Sequence, residues 1–105
     1  MKNSAPDYLS KEARQWWDRI ALEYDISDEA GLLLLQTALE AFDRMRAAQK
    51  AINEDGEVIK DRFEQIKAHP MLTVERDSRA QMLAALKALN LDLEPLRPGP
   101  GRPGG

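Results

Sequence analysis

The stretch DEAGLLLLQTALEAFDRMRAAQKAINEDG, Asp28 to Gly56, holds no proline, and its glycines stand near its two ends. Asp28 or Ser27 can cap the start of a helix, and Gly56 stands where a helix ends in a left-handed residue. The spacing predicts a helix reaching Glu54 or Asp55, about 27 residues and about 40 Å long. Two apolar stripes share it. Leu32, Leu35, Leu39 and Phe42 form one, and Leu34, Ala38, Ala41, Met45, Ala48 and Ile52 form the other. A chain of this size has a limited core. We therefore read the alanine-rich stripe, Leu34 to Ile52, as a surface for other copies of the chain, because small side chains let a second helix approach closely. The alternative is that both stripes lie in one core.

Toward the N-terminus, Ser10 is a candidate N-cap with Glu12 in the first turn, where the helix dipole favours an anion. Ala13, Trp16, Trp17, Ile20, Ala21 and Tyr24 then recur at helical spacing, and Asp25 to Ser27 reads as a turn. Residues 1–9 are expected to be flexible, and residues 10–93 to form the helical domain.

Beyond Gly56, Val58 and Ile59 favour extended structure, and Lys60, Asp61 and Arg62 are placed as a tight turn in a short β-hairpin. Pro70 biases His69 away from helical angles and suits the first turn of a third helix, which runs to Leu89 with Met82, Leu83, Leu86 and Leu89 as its apolar face. Asn90 can end that helix in a left-handed conformation. Residues 94–105 form a Pro/Gly/Arg tail expected to be disordered. The fold class is mainly α, a three-helix subunit with a long central helix and a short hairpin, forming a ring-like homo-oligomer.

With a formal charge of −3, the chain is a poor match for a protein that coats nucleic acid indiscriminately. Its charge is uneven: residues 27–57 hold seven acids against three bases, and residues 58–79 hold five bases against four acids. Cysteine is absent, so there is no disulfide framework and no thiolate chemistry. The longest apolar run, Leu32 to Leu35, is too short to span a bilayer, and no membrane partner is expected.

Reaction chemistry finds little support. The one histidine, His69, lacks partners at ligand or triad spacing and reads as a bend residue whose imidazole contacts the next helix. The acidic clusters at Asp25, Asp28 and Glu29 and at Glu54, Asp55 and Glu57 fall at helix ends, as caps and solvated surface do. No catalytic residue, metal site or cofactor is assigned. Phosphate contacts are assigned to Lys11 and Arg14 on the first helix, Lys60, Arg62 and Lys67 on the hairpin, and Arg97 and Arg102 in the tail. Gly101-Arg102-Pro103 has the centre of an AT-hook without its flanking arginine.

In order, LSKEARQWW (Leu9–Trp17) with Ile20, the alanine-rich second helix, Gly56 before an extended segment, KAHPML (Lys67–Leu72) and LAALKALNLDLEPLRP (Leu83–Pro98) carry a resemblance. The chain resembles the small subunits of phage terminases, of the type serving long-tailed phages that package DNA between cohesive ends. Asn90 departs from the glycine usual in that family, and the acidic balance puts in doubt any simple choice of DNA-binding residues. The resemblance implies a non-enzymatic homo-oligomeric ring in the host cytoplasm. Such a ring recognises double-stranded viral DNA and presents it to the large subunit, which carries the ATPase and nuclease. A helical DNA-binding transcriptional regulator is the alternative, although the acidic second helix is a poor recognition helix.

Overall fold

The computed structural model describes residues 4–91. Its elements in order are α1 (Lys11–Glu23), α2 (Glu29–Asp55), β1 (Val58–Lys60), β2 (Ile66–Ala68) and α3 (Met71–Ala88). The fold is mainly helical, with one two-stranded antiparallel sheet.

Local chemistry fixes the helix ends. Ser10 Oγ accepts from the Ala13 amide at 3.0 Å and starts α1. Asp28 Oδ2 accepts from the Gly31 amide at 2.9 Å and starts α2. That cap lies so close over the helix that a Cβ at Gly31 would come within 2.8 Å of Asp28 Oδ1. Gly56, at φ 87°, closes α2, and Asn90, at φ 55°, follows the end of α3. Asparagine tolerates that region better than most residues.

The first stripe of α2 packs on α1. Leu9, Ala13 and Trp17 join Leu35, Leu39, Phe42 and Met45 in one core, within which Leu35 is fully buried. A polar seam sets the register of α1 on α2. Asp43 accepts from both the amide and the hydroxyl of Ser10, at 2.8 and 2.5 Å, while Glu12 takes the Arg46 guanidinium at 3.2 Å. Residues 4–9 were expected to be loose, and for these the expectation is corrected. Leu9 is buried in the core, and the Tyr8 hydroxyl donates to Glu40 on α2. A core contact and a long-range hydrogen bond together offset the entropy of ordering this segment.

α3 packs antiparallel along α2 and forms the most extensive interface in the chain. Arg44 bonds Gln81, Gln49 bonds Glu75, and Leu34 shares a depression with Ala88 and Leu89. Both helices bury small side chains: Ala38, Ala41 and Ala48 on α2, Ser78 and Ala85 on α3. This corrects the assignment of the alanine-rich stripe to neighbouring copies. Ala38, Ala41, Met45 and Ala48 belong to the chain's own core, and Leu34 and Ile52 flank it half-buried. Of the predicted α3 face, Met82 and Leu89 pack against the core and Leu86 is half-buried, and Leu83 is corrected. Leu83 is exposed, and Ser78 and Ala85 are the buried positions.

The hairpin joins this pair at its base. Its register sets Val58 opposite Ala68, Ile59 opposite Lys67 and Lys60 opposite Ile66. The turn spans five residues, Asp61 to Gln65, rather than Lys60 to Arg62. Asp61 Oδ1 accepts from the amides of Phe63 and Gln65 at 2.8 and 3.0 Å, and Glu64 takes a positive φ of 63°. The tail, residues 94–105, lies outside the described residues.

Candidate nucleic-acid interface

His69 stands at the junction of α2, the hairpin and α3, and only 6% of its surface is exposed. Its amide donates to Glu57 O at 2.8 Å, closing the hairpin base. Its Nδ1 accepts from the Met71 amide at 3.0 Å, capping α3 where Pro70 offers no side-chain cap. An accepting Nδ1 leaves the ring proton on Nε2, which donates to Asp55 Oδ2 at 2.9 Å. The bend reading of His69 therefore gains a partner on each side. Asp55, read as solvated surface from the sequence, is the anchor that the reading missed. His69→Ala is expected to cost about 1–3 kcal/mol, since it leaves the Met71 amide and the Asp55 carboxylate without their imidazole partner, while the backbone bond that closes the hairpin base is kept. Urea unfolding of the variant checks this, with hydrogen exchange at Met71 as the local readout.

The cations assigned to phosphate fall into separate groups. Lys11 and Arg14 are exposed at (i, i+3) on α1, so they share one helical face, and neither forms a salt bridge among the described residues. On the hairpin, directly paired residues share a face, so Lys60 lies with Ile66 and Lys67 lies with Ile59 on the other side. The two lysines are thus held on opposite faces. Lys60 Nζ is 3.7 Å from Glu64, and the Arg62 guanidinium sits 5.0 Å over the Phe63 ring. Arg97 and Arg102 lie outside the described residues.

The hairpin carries exposed apolar side chains beside its charges. Val58, Phe63 and Ile66 are each more than half exposed. Val58 and Ile66 share one face with Lys60, and Phe63 lies in the turn. The sequence flagged the cations but not this apolar face, which only the strand register reveals.

Electrostatics stiffen the turn. The backbone amides of Gln65 and Phe63 hold the Asp61 carboxyl below its ordinary value. A depressed carboxyl stabilises the folded turn above the unfolded-state pKa, and that contribution is lost as pH falls through the lower folded value. The Phe63 and Gln65 amide resonances are therefore expected to move together on acidification below the ordinary aspartate range, and Asp61→Asn is expected to remove that shared step. On α3 the Arg79 guanidinium, and then Gln49, hold Glu75 low. The hydrogen bond from Tyr8 holds Glu40 low and pushes the phenol up.

No described helix is long and apolar enough to cross a membrane. Neither the curated proteins nor the solved structures yield a match to this chain. A protein-family model described as phage terminase, small subunit, matches residues 13–94, which take in most of α1 and all of α2, the hairpin and α3. With most of its length covered by that match, the chain belongs to the phage terminase small subunit family, whose role is in phage DNA packaging.

Proposed function

We propose that this chain is a non-catalytic subunit that recognises viral double-stranded DNA as a ring-like homo-oligomer in the host cytoplasm and presents it to the large terminase subunit. The family match over residues 13–94 carries this reading. Two features of the chain support it. Lys11 and Arg14 project from α1 without acidic partners among the described residues. Lys60, Arg62 and Lys67 stand on an exposed ribbon. Repetition around an axis compounds weak patches of this kind through effective concentration.

Contacts between copies use the hairpin in this reading. Val58, Ile66 and Phe63 are exposed, and a two-stranded sheet leaves both edges unpaired. Within the alanine-rich stripe, Ala38, Ala41, Met45 and Ala48 are buried in the chain and offer a neighbour little surface, which favours the hairpin in this reading.

Replacing Lys60, Arg62 and Lys67 together is expected to weaken DNA binding and lower the slope of log affinity against log salt by roughly 0.9 for each phosphate that is no longer neutralised. Replacing Arg97 and Arg102 together is the parallel test for the tail. Titrations of duplex DNA at several salt concentrations measure both. An unchanged slope in both sets removes the hairpin and tail residues from the assigned phosphate contacts, and a monomer by light scattering at micromolar concentration removes the ring.

A further inference from the structure

Between α1 and the end of α3 lies an open groove of about 570 Å³, walled by Trp16 and Ile20 on one side and Leu83 and Leu86 on the other. That volume is within the roughly 300–1,000 Å³ typical of ligand pockets. Its walls are apolar yet uncovered: Trp16 is 41% exposed and Leu83 55%. Glu23 and Lys87 place one charge of each sign on its lining. Leu91, the last described residue, lines it as well, just after Asn90 turns the chain out of α3.

We propose that the groove is the seat of the chain's own segment Leu93–Pro98, LEPLRP. The chain leaves the described structure at the groove itself, so this segment is delivered there by its tether. Leu93 and Leu96 are the large apolar side chains of residues 92–105, and both fall within five residues of Leu91. At about 3.3–3.6 Å per extended residue, Leu96 can reach up to about 18 Å from Leu91. Pro95 and Pro98 favour the extended left-handed helix that docks on aromatic-lined grooves at low ordering cost. The charges match, Glu94 with Lys87 and Arg97 with Glu23. A tethered segment is present at roughly millimolar effective concentration, which a free second copy does not reach in dilute solution.

The chain lacks cysteine, so a pair can be introduced cleanly. Leu83→Cys is combined with Leu93→Cys or Leu96→Cys in the full-length protein, and Leu22→Cys with Leu96→Cys serves as the control, because Leu22 is exposed but does not line the groove. Under mild oxidation a groove pair is expected to form an intrachain disulfide roughly tenfold or more faster than the control. As a second measurement, Leu93→Asp with Leu96→Asp is expected to raise acrylamide quenching of Trp16, with buried Trp17 as the shielded reference. Equal cross-linking of groove and control pairs overturns the proposal, as does unchanged quenching in the aspartate variant. A disulfide that runs between chains on a non-reducing gel overturns it in favour of a second copy.

Discussion

Leu35→Ala is expected to destabilise the chain by about 2–5 kcal/mol, the range for removing a large aliphatic side chain from a closed core. Leu35 is fully buried between α1 and α2, where Leu9, Trp17 and Phe42 are held by their own backbones and the polar seam. Those neighbours have little room to collapse into the space left behind, so the cost is expected toward the upper end. A small domain has only about 5–15 kcal/mol in total. Thermal melting followed by circular dichroism should therefore show a transition lowered by many degrees, and a shift of a degree or two would mean that the core is not where the structure places it.

Ala41→Leu is the second large effect, and it separates two views of the alanine stripe. With α3 packed over Ala41, three extra carbons must push the two helices apart, at a cost of about 1–3 kcal/mol or more. Were the stripe an interface between copies, the same change would dissociate an assembly while leaving each subunit folded. Denaturant unfolding and light scattering on one sample distinguish the outcomes. The structure predicts lower folding stability at every protein concentration. Ser78→Ala is the matched control, expected to be nearly neutral because it keeps the small volume on which the close approach depends.

The helix ends were legible in the sequence because capping is local. Ser10, Asp28, Gly56 and Asn90 act on residues within four positions of themselves, and each stands at the predicted place. The hairpin was legible as two β-favouring runs, but its turn was not. The sequence reading put Asp61 at the centre of the shortest turn, whereas its side chain reaches two and four residues ahead to organise a longer one. An aspartate just after a strand is the signal that would have found it.

What failed was partner choice. Periodicity shows which residues share a face, not what covers that face. The alanines of α2 were sent to another copy on the ground that a small chain has a limited core, although α3 does cover the core within the chain, with Met82 and Leu89 packed against it. Small residues mark where helices approach most closely, and reading Ser78 and Ala85 as the counterparts of Ala38, Ala41 and Ala48 would have closed the core within one chain. Similarly, the docking of Tyr8 and Leu9 depends on residues about thirty positions away, which no local pattern encodes. The lysines of the hairpin were visible as charges, but their separation onto two faces follows from a register that the turn length sets.

The bonds of His69 carry a mechanical consequence. One imidazole bolts the foot of the ribbon to the last turn of α2 and the first amide of α3. The ribbon cannot pivot on that foot without shearing bonds to both helices at once, so force applied at its tip is delivered to the helix pair as torque. A load on the tip at Phe63 is therefore shared between the C-terminal end of α2 and the N-terminal end of α3 rather than borne by the ribbon alone.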